Sequence, residues 1–117
     1  MPSFDIGAVA RRFNEENRAE DAKAAARREA ARVEARRLAA AMRAKDSGIR
    51  AIFGFGSTFE ETRPYRMDSD IDLAIEGGDI LRLLSVTEDS AFSVDLIDIT
   101  GAEDEFAREI RARGMRL

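Results

Sequence analysis

The chain has 117 residues, with no Cys, no His and no Trp, and it combines 44% hydrophobic with 36% charged residues at a formal charge of −4. That length suits one domain with a single core, and without Cys or His there is no disulfide framework, no thiolate or imidazole metal site and no histidine base. Any metal chemistry is then carboxylate chemistry, which favours hard cations such as Mg²⁺ or Mn²⁺.

The charge is unevenly spread. Residues 1–46 carry 11 basic and 8 acidic side chains, whereas residues 47–117 carry 8 basic and 15 acidic ones. A cation would gather its ligands in the second part, so the sequence divides into an N-terminal helical extension, 1–46, and a domain, 47–117. No apolar run approaches the roughly 18 to 20 residues a bilayer requires, and no charged-then-apolar leader opens the chain. The expectation is a cytoplasmic protein without membrane contact.

From Asp5 to Asp46 the sequence is rich in Ala, Arg and Glu, with no Pro after Pro2, and reads as one long helix or two. Ile6, Val9, Ala10 and Phe13 form a first apolar stripe. A bend is expected in the polar run from Asn14 to Asp21, followed by a second stripe near Ala26, Ala30, Val33, Leu38 and Met42. The helix ends at Asp46-Ser47-Gly48. Its length exceeds the needs of a small domain, so it suits pairing with a partner or with a second copy of the chain, a homo-oligomer through the N-terminal helix. Its arginines are interleaved with Glu29 and Glu34 and have no aromatic company, which argues against nucleic acid binding.

Ile49, Ala51, Phe53 and Phe55 alternate along a strand buried mainly on one face, which runs into Gly56-Ser57. Ser57 and Glu60 are spaced as a capping box for a short helix that ends before Pro64. Ile71, Leu73 and Ile75 alternate with Asp70, Asp72 and Ala74 in a second strand. After Gly77-Gly78, Asp79 caps a helix. Phe92 to Ile97 form a third strand that carries Asp95. Thr100 and Glu103 form another capping box, opening a last helix with Phe106 and Ile110 on one face.

Asp70 and Asp72 lie two apart on a strand, so their carboxylates leave the same face and repel unless a cation or a proton intervenes. Asp95 on a neighbouring strand can join them, whereas Asp98, three residues on, faces elsewhere. Opposite, Gly56 allows a phosphate close to the backbone, and Ser57 offers a hydroxyl at a helix start, where amides favour anions. An Asp-x-Asp pair alone reads as a solvated strand face. Joined to Gly56-Ser57 and Asp95, it reads as a metal and nucleotide site, in which two metals would hold a triphosphate and activate a hydroxyl.

Phe55-Gly56-Ser57, then Ser69-Asp70-Ile71-Asp72-Leu73 after twelve residues, then Val94-Asp95-Leu96-Ile97, resembles the minimal nucleotidyltransferase (MNT) branch of the DNA polymerase β-like nucleotidyltransferase superfamily. The likeness spans about residues 49–99, and the closing segment with Phe106, Ile110, Gly114 and Leu117 is similar to the family's last helix. The resemblance implies an α+β fold with a small mixed β-sheet flanked by helices, Mg²⁺ (or Mn²⁺) on Asp70, Asp72 and Asp95 as the catalytic and metal residues, and nucleotide phosphates at Gly56 and Ser57. It also implies an antitoxin of a HEPN/MNT toxin–antitoxin pair, which transfers AMP from ATP to a tyrosine hydroxyl of a HEPN-domain toxin. The alternative is a non-catalytic antitoxin of the same fold that neutralises its partner by binding. Thr58-Phe59-Glu60-Glu61 departs from the small residue, Arg and Gly that members often show, which leaves Arg63 or Arg66 as the nearest base for a triphosphate.

Overall fold

The computed structural model describes residues 5–117. Helix α1 (Ile6–Lys45) leads into strand β1 (Ile49–Phe55) and a single 3₁₀ turn (Gly56–Thr58). Strand β2 (Ile71–Gly77), helix α2 (Ile80–Glu88), strand β3 (Val94–Asp98), helix α3 (Glu105–Arg113) and the two-residue strand β4 (Met115–Arg116) follow. The result is an α+β fold around a mixed four-stranded sheet of order β3-β2-β1-β4. β1 runs antiparallel to β2 and β4, and β2 runs parallel to β3 across the α2 crossover.

α1 is one continuous helix of 40 residues, and the bend expected between Asn14 and Asp21 does not occur. Nothing there breaks a helix: the run lacks Pro and Gly, and polar side chains are compatible with helix wherever they stay in water. Asp5 opens it by accepting the Ala8 N–H at 3.1 Å, which satisfies one of the amides a helix start leaves free. Arg43 and Lys45 lie in its last turn, where cations complement the dipole. At about 1.5 Å per residue a helix of this length runs about 60 Å, which accounts for most of the 72 Å long axis of the molecule. Every residue from Asp5 to Lys23 is exposed.

The packed half of α1 presents Ala31, Ala35, Leu38, Ala39 and Met42. The expected stripe was correct at Leu38 and Met42 but one residue out of phase before them, since Val33 is 57% exposed and Ala26 and Ala30 face water. In so alanine-rich a helix the few large side chains fix the phase only near its end. This half of α1 and Leu83 of α2 cover one face of the sheet, against Ile52, Ile71, Leu73 and Ile75. α3 covers the other face through Ala107 and Ile110, packed on Ala51, Phe53 and Ala74. β1 is therefore buried on both faces rather than mainly one. Full burial of each Leu, Ile or Met is worth about 1.5–3 kcal/mol, so α1 from Ala31 onward is a layer of the same core as the sheet.

Local choices at the other ends follow the sequence closely. Asp79 caps α2 by accepting the Leu81 N–H at 3.1 Å. Asp104, rather than Thr100, caps α3, accepting the Ala107 N–H at 3.2 Å. Thr100 instead turns its hydroxyl to the Gly77 N–H at 2.8 Å, tying the end of β3 to the end of β2. Among the described residues no helix is long and apolar enough to cross a membrane.

Candidate functional site

Asp72 and Asp95 are register partners on the adjacent parallel strands β2 and β3. Side chains at paired positions leave the same face of a sheet, here the face that α3 covers, so the two carboxyls stand side by side. Asp70 lies one residue before β2, not within it as the alternation predicts. Its carbonyl accepts the Thr58 hydroxyl at 3.1 Å, which ties the entry of β2 to the turn after β1. Asp98 turns back to its own loop and accepts the Thr100 N–H at 2.9 Å, leaving Asp95 as the aspartate of β3 beside Asp72.

The trio is electrostatically coupled. Burial, then the charges of Asp95 and Asp70, push the Asp72 carboxyl from its usual 3.8 up to about 6, while the Arg63 guanidinium pulls in the opposite direction. A hydrogen bond with the Asp95 carboxyl further favours a proton on Asp72. Two acids that would share a proton are equally two oxygen donors for a hard cation.

Gly56 adopts φ +73°, and a Cβ on it would meet Asp72 Oδ2 at 2.2 Å. Only a glycine both takes that left-handed backbone without strain and lets the chain lie against the carboxylate. The helix expected to open at Ser57 is a three-residue 3₁₀ turn, and it has no side-chain cap. The Glu60 amide donates to the Gly56 carbonyl at 2.9 Å, while its side chain leaves for Arg63 at 3.4 Å. The Ser57/Glu60 capping box therefore does not form, and so short a turn has little of the dipole that a full helix aims at a phosphate.

Positive charge comes from Arg63, which lines the pocket that opens on Gly56 and Asp72. Arg66 faces Asp68 at 3.8 Å instead, with both side chains exposed. Glu60 and Glu61, which stand where a base was expected, are both partnered: Glu60 with Arg63, and Glu61 with Arg32 of α1 at 3.8 Å.

Sequence reasoning missed the part α1 plays here. Arg28 donates to the Arg63 carbonyl at 2.6 Å and to the Glu60 carbonyl at 3.3 Å, and Arg32 donates to the Thr58 carbonyl at 2.7 Å. These two arginines, four apart and thus on one helical face, hold the whole 58–63 loop. On the other side, Ser90 donates to Glu34 and the Arg27 guanidinium sits 3.8 Å above the Phe92 ring, fixing the loop that leads to Asp95. The signal was the spacing of Arg28 and Arg32 beside the alanine stripe.

The chain matches no protein-family model, no curated protein and no solved structure.

Among the described residues no three or more acids are gathered closely enough to cage a metal ion. The donor set still fits Mg²⁺, which is typically held through one or two carboxylates and completes its shell with water and substrate phosphates. Asp72 and Asp95 supply such a pair of hard oxygens, with Asp70 beside them and the Arg63 cation on the same pocket wall.

Proposed function

We propose that this chain is a Mg²⁺-dependent nucleotidyltransferase of the minimal nucleotidyltransferase kind, an antitoxin that transfers AMP from ATP to a tyrosine hydroxyl of a HEPN-type toxin. The observation that carries the reading is the in-register pair Asp72 and Asp95, coupled to Asp70 and pressed against the left-handed Gly56. Mg²⁺ held by these carboxylates would neutralise the triphosphate and the departing pyrophosphate.

The protein's own residues do the rest. Gly56 and Ser57 let the triphosphate approach the backbone beside Asp72, and Arg63 offsets its charge. β3 is an edge strand and Asp95 is exposed on it, so a macromolecular acceptor reaches Asp95 without displacing other elements. The acceptor oxygen attacks the α-phosphorus, its proton passes to the Asp95 carboxylate, and the bond to the β-phosphate oxygen breaks to release pyrophosphate. The acceptor comes from a partner: the chain's single tyrosine, Tyr65, has its hydroxyl buried.

The exposed first half of α1, with Ile6, Val9 and Phe13 all more than half exposed, favours a second reading in which the fold neutralises its partner by occlusion. Incubation with labelled ATP, Mg²⁺ and the protein encoded beside this one separates the two. The first reading expects label on the partner with the wild type and none with Asp72→Asn. Neutralisation without label, unchanged in Asp72→Asn, would replace catalysis by occlusion.

A further inference from the structure

β3 stands first in the strand order, and its pairing with β2 runs from Ile71 with Val94 to Ile75 with Asp98 without a bulge. Val94 and Leu96 pack towards the core under α1 and α2, and Ile97 towards the core under α3. All three nevertheless stay partly exposed, whereas Ile71, Leu73, Ala74 and Ile75 of β2 are at most 1% exposed. Apolar surface is thus left open along both faces of the same edge, which one further strand would cover.

The main chain is open there too. The Ser93 carbonyl accepts the Ile71 N–H, and the Ile99 N–H donates to the Ile75 carbonyl, both at 2.9 Å. Successive residues of a strand turn their backbone groups to opposite sides, so Asp95 and Ile97 also face β2. Val94, Leu96 and Asp98 then point their N–H and C=O outward. A flat edge with free backbone groups is a template for another strand.

We infer that the acceptor protein presents its tyrosine on an extended segment that adds to β3 as an antiparallel fifth strand, with the tyrosine opposite Asp95. The chemistry rests on the nucleotidyltransferase reading; the docking rests on the edge alone. Because the backbone groups of Asp95 are turned to β2, Asp95 is a non-hydrogen-bonded position towards the new strand, and the Cα atoms of such a pair lie about 4.5 Å apart. Directly opposite side chains share a face, so the tyrosine stands on the face of Asp72 and Asp95. Its oxygen bonds to the α-phosphorus, its proton goes to Asp95 and pyrophosphate leaves. On the other side of Asp72, the aromatic pocket walled by Phe55 and Phe106 stays clear of this strand.

The edge also states the chemistry of its occupant. In antiparallel register the residue before the tyrosine meets Leu96 and the residue after it meets Val94, so both are apolar. The residue three before it meets Asp98, which is exposed, and a Lys or Arg there complements that charge. A second copy of β3 fits less well. Pairing about Leu96 sets Asp95 against Ile97 and Asp98 against Val94, desolvating carboxylates without a partner, and pairing about Asp95 opposes two like charges.

The test uses the full chain, labelled ATP, Mg²⁺ and the peptide acetyl-Lys-Thr-Val-Tyr-Val-amide, together with two N-methylated analogues. Methylation of the valine before the tyrosine removes the N–H that bonds Leu96 and should raise KM about tenfold. Methylation of the tyrosine itself alters an N–H that points away from β3 and should leave KM unchanged. Asp98→Lys should raise KM for this peptide and leave kcat as it is. Without ATP, the peptide should slow hydrogen exchange at the Val94, Leu96 and Asp98 amides and not at Asp95 or Ile97. Equal KM for the two analogues, free tyrosine amide labelled as well as the peptide, or no alternating protection would overturn strand addition. Alternating protection with no label on any peptide would keep the docking edge and remove the nucleotidyltransferase reading. Protection of the same amides that grows with protein concentration in the absence of peptide would seat a second copy on β3 and overturn the proposal.

Discussion

Replacing Asp72 by Asn removes a negative charge that the fold holds against its own electrostatics. The carboxyl titrates near 6 in the folded chain against an ordinary 3.8. At about 1.36 kcal/mol per pH unit, that difference corresponds to roughly 3 kcal/mol of destabilisation by the ionised group above pH 6. Asp72 is half-buried, so solvent screening leaves about 1.5 kcal/mol of this. The sign follows from proton uptake. Between pH 3.8 and about 6 the folded chain holds a proton on Asp72 that the unfolded chain has released, so this group stabilises the fold progressively as pH falls through 6, and below 3.8 the gain is complete. Asp46 works in the opposite sense, because hydrogen bonds from the Asp79 and Gly48 amides hold its carboxyl below the usual range, and its contribution is lost on acidification. Comparing wild type with Asp72→Asn isolates the one from the other. Thermal melts followed by circular dichroism in a chelator should show Asp72→Asn higher by about 5 °C at pH 7.5, with the gap closing by pH 4. Added Mg²⁺ should raise the wild-type midpoint and leave the variant where it was. A lower midpoint for Asp72→Asn at pH 7.5, or a gap that does not change with pH, would refute the argument.

Gly56→Ala should lose about 2 kcal/mol in urea unfolding, because φ +73° is strained for alanine and the new methyl meets Asp72. Part of that loss should disappear in an Asp72→Ala background; full additivity of the two substitutions would show that the contact is not what matters. Arg28→Ala removes the donor to the Glu60 and Arg63 carbonyls and should cost about 1 kcal/mol. Hydrogen exchange should speed up for the amides of residues 59–66 and stay unchanged in β1, whereas uniform acceleration would mean a global loss instead.

Much of this was legible in the sequence because period and spacing carry it. Alternation at Ile71, Leu73 and Ile75 sets β2, and Asp79 marks the start of α2. The same alternation places Asp72 on the face opposite that core. The juxtaposition of Asp72 with Asp95 needs strand order, which spacing alone leaves open, and the parallel pairing provides it. Three features stayed hidden for physical reasons. β4 is two residues long and exists only through its partners in β1. The Ser57/Glu60 spacing suits a helix that the backbone does not continue, since Arg32 and Arg28 draw the carbonyls of residues 58, 60 and 63 towards α1. The aromatic pocket joins Phe55 and Phe106, residues 51 positions apart, which no local pattern links.

The long helix is really two physical regimes joined end to end. Starting a helix from coil is unfavourable because several residues are fixed before the first hydrogen bond repays them, whereas extending one adds a bond for each residue. From Ala31 onward that start is supplied by packing against the sheet, and the solvated residues before Lys23 need only propagate from it. The exposed arm is therefore helical as an outgrowth of the core, and the same residues cut loose as a short peptide would have to nucleate alone.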